Sequence, residues 1–286
     1  MKFFCRLNKN RRNILKYGCR AVFFYVFMTA VVAVLMAQIT AKDQKAIEAI
    51  TAAKKALGGE ETIDNIKSLI LTGTSKRLYN KRESIIEIRI LLPDNYLWIE
   101  KGTTDFFDTI SYNGFSNGEM RQVSFYGSER SGVARIDYKD EVNRFANLMM
   151  GALLKSDPAA PLTIASVSGA SDRFSITGTT GEMGMMELDP REKYPLLVSF
   201  KDVVSVNYTE EAINNKNITI RFLTKTDAVD SVIQFKDRTV IDGVMFPKTI
   251  IFESPGMDFN NKEVRLEKIQ INPKLNLKDF DIPQYP

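Results

Sequence analysis

The chain has 286 residues and no histidine. Without imidazole it cannot run a Ser-His-Asp or Cys-His relay, and it cannot build a zinc site on the usual nitrogen ligand. Its two cysteines, Cys5 and Cys19, both fall in the first twenty residues, so the body of the chain has neither thiolate chemistry nor disulfides. With 44% hydrophobic and 26% charged residues, 10 Pro and 16 Gly, disorder is excluded as well. The length suits one large domain or two modest ones.

The net charge of +4 is unevenly spread. Residues 1–37 carry seven bases (Lys2, Arg6, Lys9, Arg11, Arg12, Lys16 and Arg20) and no acid. Of the 39 basic residues, 32 therefore remain to face all 35 acids, and the body is negative. A nucleic-acid partner, which the whole-chain pI of 8.8 would invite, is not expected. The basic stretch runs into an uncharged segment, Ala21 to Ala37, which ends on Leu35-Met36-Ala37 before Gln38. Basic flank, apolar run and small terminal residue together predict a secretory signal over residues 1–37, cleaved at Ala37-Gln38. The other reading is a retained anchor contacting the membrane through residues 21–37. Either orientation keeps the bases on the cytoplasmic side and exports the body.

Residues 38–286 read as a single α+β domain. Over Asp43 to Leu57, Ile47, Ile50, Lys54 and Leu57 recur at helical spacing, and Gly58-Gly59 supplies a left-handed stop. The period then changes to two. Ile86, Ile88, Ile90 and Leu92 alternate with Glu87, Arg89 and Leu91, and Ile218, Ile220 and Phe222 do the same. Eleven further strands are expected between Ser68 and Asp189 and between Leu196 and Ile271, joined by turns at Pro93-Asp94-Asn95, Asn113-Gly114, Asn214-Asn215 and Asp242-Gly243. The pattern is that of a long antiparallel meander. One helix interrupts it: Tyr138, Val142, Phe145, Met149, Ala152 and Leu153 share a face, and Ser156-Asp157-Pro158 ends the stretch. Leu148, Met150 and Leu154 fall off that face, so this helix needs cover on more than one side. The loop Asp157 to Ser171 follows.

No motif yields a catalytic residue, a cofactor site or a metal site. Gly114-Phe115-Ser116-Asn117-Gly118 spells G-x-S-x-G, but a strand pattern follows it and no histidine exists to accept the serine proton, so it reads as a hairpin turn. The body lacks S-x-x-K, and Gly178 to Gly184 lacks the lysine and hydroxyl of a phosphate loop and reads as a turn. Glu210-Glu211, Asp227 and Asp230 lie in polar stretches expected to be solvated. Asn207-Tyr208-Thr209 and Asn217-Ile218-Thr219 are sequons, relevant only in a eukaryotic source. Methionines cluster at Met149, Met150, Met183, Met185 and Met186, with Phe106, Phe107 and Phe115 upstream. Their flexible thioethers suit either gap filling in a core or a surface that repacks around apolar guests.

Several short stretches carry a family resemblance. Leu57-Gly58-Gly59, Ile66-Lys67-Ser68-Leu69 and Leu71-Thr72-Gly73 resemble the opening of exported LolA-like proteins, the superfamily of periplasmic lipoprotein carriers. Val240 to Lys248 resembles that group's G-v-x-f-P hairpin, and Ile271-Asn272-Pro273 through Phe280-Asp281-Ile282-Pro283 its closing segment. The resemblance implies an unclosed antiparallel half β-barrel with helices in its concave face, around an apolar cavity for acyl chains. It also implies a place in the periplasm of a Gram-negative bacterium. The carriers' release arginine has no counterpart here beyond Arg89, which lies on the polar face of its strand.

The expected function is therefore an exported, non-enzymatic binding protein that holds lipid or the acyl chains of lipoproteins. Trp98, Phe115, Phe145, Met149, Met150, Leu153, Leu154 and Met185 are its candidate ligand contacts. A second reading is a cell-envelope interaction module that binds a protein partner through the same face. An enzyme restricted to carboxylate or lysine chemistry stands third.

Overall fold

Strong period-two alternation dominates the chain, and the backbone follows it. The computed structural model describes residues 40–103, 107–127, 129–131, 138–155, 162–178, 181–214, 217–254 and 261–283. All belong to one unit, Ile39–Pro286. The leader over residues 1–37 lies outside the described residues, as do Phe106, the stop Ser156-Asp157-Pro158 and the turn residues Thr179, Thr180 and Asn215. Among the described residues no helix is long and apolar enough to cross a membrane.

In chain order the elements are β1 (Thr40–Ala41), α1 (Gln44–Ala56), α2 (Glu60–Asp64), β2 (Ser68–Arg77), β3 (Glu83–Leu91), β4 (Asn95–Thr103), β5 (Asp108–Ser116), β6 (Glu119–Tyr126) and β7 (Glu129–Ser131). After α3 (Tyr138–Leu153) come β8 (Thr163–Ser166), β9 (Arg173–Gly178), β10 (Gly181–Leu188), β11 (Pro195–Asn214), β12 (Asn217–Ile241), β13 (Val244–Glu253) and β14 (Lys262–Ile271), then a 3-10 turn at Leu277–Phe280. Among the described residues these strands form one 14-stranded sheet in the order β1-β8-β9-β10-β11-β12-β13-β14-β2-β3-β4-β5-β6-β7. The meander is thus two meanders joined edge to edge, β14 pairing antiparallel with β2. Only the short β1–β8 pair is parallel. The order runs open from β1 to β7, the unclosed α+β half-barrel expected.

Its curvature is measured by one contact. Trp98 on β4 and Phe252 on β13 have ring centroids 5.8 Å apart, although β14, β2 and β3 lie between their strands. Neighbouring strands are spaced at about 4.8 Å, so a flat sheet would hold these rings about 19 Å apart. The sheet curls until they meet across its concave face. On the convex face Leu97, Ile99, Tyr112, Val123 and Phe125 form a separate cluster covered by Phe280 of the C-terminal turn. Arg89 secures that cover: its Nη1 donates to the Asp279 carbonyl at 2.7 Å and its Nε to Glu87 Oε1 at 2.6 Å.

Several expectations shift by a residue or more. In α1 the buried face is Ala46, Ile50, Ala53 and Leu57, while Ile47 is 46% exposed. Small alanines let the helix backbone approach the sheet, which burial of Ile47 would hold off. The expected glycine stop is present, and Gly58 is required there by contact as well as by its φ of 123°, since a Cβ would stand 2.2 Å from the Gly243 carbonyl oxygen. The turn expected at Asn113-Gly114 is instead strand. β5 runs on to Ser116 and turns at Asn117 and Gly118, with φ of 52° and 74°, the left-handed pair that a two-residue hairpin requires. Gly114 lies where a Cβ would meet the Tyr96 carbonyl oxygen at 2.0 Å, so glycine serves close strand approach there. The Asp242-Gly243 turn is as expected. The loop placed over Asp157 to Ser171 contains β8, whose Thr163 and Ile164 pair with Thr177 and Ile176. β11 and β12 each join two strands expected separately.

Candidate functional site

The trough between α3 and the concave face is lined by the main apolar core cluster. From Phe145 to Leu154 every residue of α3 and its cap except Ala146 is buried. Two sheet halves meet the helix, which touches β5 on one side and β10, β11, β12 and β13 on the other. At Gly151 there is no room for a side chain: a Cβ would stand 2.0 Å from Cε2 of Phe235. The helix ends on Leu154 at φ 53°, its N–H donating to the Met150 carbonyl at 3.0 Å. Glycine is the usual residue in this cap, and leucine is held in it by a side chain only 2% exposed.

Between helix and sheet remains a cavity of about 20 Å³, lined by Leu71, Ile88, Trp98, Phe246, Ile250 and Phe252 of the sheet and by Met149 and Leu153 of α3, among others. That space suffices for about one water and for no alkyl chain. The helix therefore fills the trough. Nearer its N-terminus it packs through an aromatic trio, with Phe145 at 4.9 Å from Tyr96 and 5.4 Å from Phe115.

Among the described residues several buried polar atoms have no hydrogen-bond partner: Trp98 Nε1 in the cavity lining and, outside that lining, Ser75 Oγ, Asn113 Oδ1, Asn147 Oδ1, and Nε and Nη1 of Arg238. Each costs on the order of 1–3 kcal/mol where it stays unpaired. Arg238 stacks 4.5 Å above the Tyr194 ring and turns Nη2 to the Pro195 carbonyl and, at 3.5 Å, to that of Gly151 in α3. Burial lowers its pKa to about 10. Asn113 Nδ2 donates to Glu141 Oε1 at 3.2 Å, and Arg144 Nη1 reaches the other carboxylate oxygen at 3.3 Å. The Tyr96 hydroxyl is pushed well above its usual pKa, first by burial and then by Glu141. Lys262 places its ammonium 3.8 Å above the Trp98 ring and 3.7 Å from Glu100 Oε2.

Of the residues picked from sequence, Trp98, Met149 and Leu153 line the cavity, Phe115 and Phe145 form the aromatic packing beside it, and Met150 and Leu154 are buried in the same core. Met185 is corrected. It is 40% exposed, and Met186 is the fully buried neighbour. An irregularity in register between Glu182 and Gly184 sets which methionine of the run faces the core, and side chains alternate from there. Sequence reasoning missed Ser75, Arg238 and Lys262. Lys262 precedes the expected start of its strand by two residues, and the same alternation that placed Val264 inward places it inward too. Arg89 stays on the convex face, so the cation touching α3 is Arg238.

No protein-family model matches the chain, and no curated protein is significantly similar to it. Solved structures similar to it include a domain named for outer membrane lipoprotein sorting from Vibrio parahaemolyticus, with 11% identity, 80% of this chain and 94% of that one covered, and a TM-score of 0.43. A DUF1329 family protein from Desulfovibrio piger shares 8% identity over 82% of this chain and 96% of its own, with a TM-score of 0.41. A LolA superfamily protein from Nitrosomonas europaea shares 11% identity, with 80% and 97% covered and a TM-score of 0.39.

Proposed function

We infer that this protein is an exported binding protein for acyl chains, in which the chain of the ligand takes the place of α3 against the concave face. The observation that carries this reading is the filled trough: a curled apolar sheet surface, covered by a helix buried nearly all round. Displacement is energetically accessible, because each buried methylene of an incoming chain contributes about 0.8 kcal/mol and replaces contacts that α3 gives up. The leader expected over residues 1–37 would export the body, and in the periplasm that the family resemblance implies, lipoprotein acyl chains in transit to the outer membrane are the ligands of the expected kind.

A second reading, an envelope module that binds a protein partner, is favoured by the size of the cavity, since about 20 Å³ admits no chain while α3 is seated. Native mass spectrometry separates the two. Protein purified gently from its own membranes is expected to carry lipid adducts. A ligand-free spectrum overturns the carrier reading, and it favours the module if Met150→Asp also loses a protein captured by the wild type.

A further inference from the structure

The concave face changes character along its strands. Through Leu71, Ile88 and Trp98 it is apolar. One row further on, Gly73, Ile86, Glu100 and Ser111 stand opposite one another across β2 to β5, and in the next row Ser75, Ser84, Gly102 and Thr109 do so. The trough thus gives way to a mixed row holding the Glu100 carboxylate and then to a row of small and hydroxyl side chains. Lys262 stands at this end. It is diagonal to Ser75 across the β14–β2 seam, where Val264 is the residue directly opposite Ser75 and Arg77 the one opposite Lys262. Its side chain is only 26% exposed and crosses the concave side to rest on the indole of Trp98, the same ring that lines the cavity.

We propose that Lys262, the indole N–H of Trp98 and the hydroxyl of Ser75 form a head-group subsite for an anionic amphiphile, a carboxylate or phosphate whose alkyl chain enters the adjoining trough. This rests on the acyl-chain reading and names the ligand class for it. All three groups are donors, and among the described residues two have no hydrogen-bond partner: Trp98 Nε1 and Ser75 Oγ are buried and unbonded, with Ser75 wholly enclosed. The third is held loosely, since 3.7 Å to Glu100 exceeds hydrogen-bond length. Lys262 is also influenced by Glu141, Arg77 and Arg144, so the mouth gathers three cations against two carboxylates. An oxyanion accepts from the three donors and supplies the charge that Glu100 provides only at a distance. Burial pulls the Lys262 pKa down, while Glu100 and then Glu141 act in the opposite direction.

Trp98 is the chain's single tryptophan, so its emission reports occupancy directly. Titrating the full chain at pH 8 with dodecanoate, dodecyl phosphate and 1-dodecanol is expected to show at least one anion binding about tenfold or more tighter than the alcohol. Lys262→Met should bring that ratio to within about twofold while alcohol binding stays unchanged, and Lys262→Arg should keep it. Whichever anion leads identifies the head group as carboxylate or phosphate. Equal binding of acid and alcohol, or a ratio that survives Lys262→Met, overturns the subsite and leaves the acyl-chain reading standing. Binding of none of the three overturns both.

Discussion

Single residues in this protein are set by what the sheet brings against them. Lys155, just past the end of α3, donates from Nζ to the Ile63 carbonyl at 2.6 Å, and burial lowers its pKa from 10.5 to about 8, with Asp64 offsetting part of that shift. Below about pH 8 the lysine is charged in both folded and unfolded chain, and the burial penalty is fully present. Between about 8 and 10.5 the folded protein releases the proton first, so the unfolded chain binds more protons and stability rises with pH. Urea denaturation across this window should show a rising contribution in the wild type, and the same segment should be flatter in Lys155→Met. An unchanged difference between the two proteins across the window would remove the assignment. Gly151 and Gly114 make the same point without charge. In each the missing Cβ is demanded by a contact from another element, Phe235 in one case and the Tyr96 backbone in the other.

At the scale of elements, type and approximate position are legible in the sequence, while the facing of each element is less so. Alternation locates β3 and most of β14 because their inward residues, Ile86, Ile88 and Ile90 in one and Val264 and Leu266 in the other, are apolar while Glu87, Arg89, Glu263 and Arg265 between or beside them are charged. In α1 the inward face carries two alanines, which weigh little in any apolar pattern, so Ile47 appears to the eye as core while Ala46 and Ala53 are the residues enclosed. Ile50→Ala should therefore cost about 2–5 kcal/mol, and Ile47→Ala should stay within about 0.5 kcal/mol. Chemical denaturation of both variants checks this, and similar losses at the two positions would restore the face first drawn from spacing. The candidate site divides in the same way. The contacts supplied by α3 were legible because the helix is apolar on faces that a surface helix would leave polar. Ser75 and Lys262 were not, because a polar residue is recognised as buried only when the strand that carries it has been placed.

For the whole molecule, the open order of strands decides where change is allowed. The β14–β2 seam lies at the middle of the sheet and joins both meanders through backbone hydrogen bonds, whereas α3 is held by side-chain contacts and a few bonds from Arg238, Asn113 and Lys155. If a ligand chain replaces α3, amide exchange over residues 141–155 should accelerate on adding dodecanoate, while exchange in β2 and β14 stays as slow as before. Ligand-bound protein in which α3 is as protected as in the free form would place the chain elsewhere.

By itself the sequence determined the class of structure and the classes of chemistry open to it. The lack of histidine and of cysteine beyond residue 19 removes the commonest nucleophile and metal designs whatever the fold, because those depend on residue type alone. Period-two alternation makes an antiparallel sheet for a similarly local reason. Only the tertiary structure decided that β14 joins β2, that the sheet curls until Trp98 meets Phe252, and that Lys262 reaches across to the same indole. Those are pairings between residues far apart in the chain, and their energy comes from surfaces that exist only after the sheet has bent around its helix.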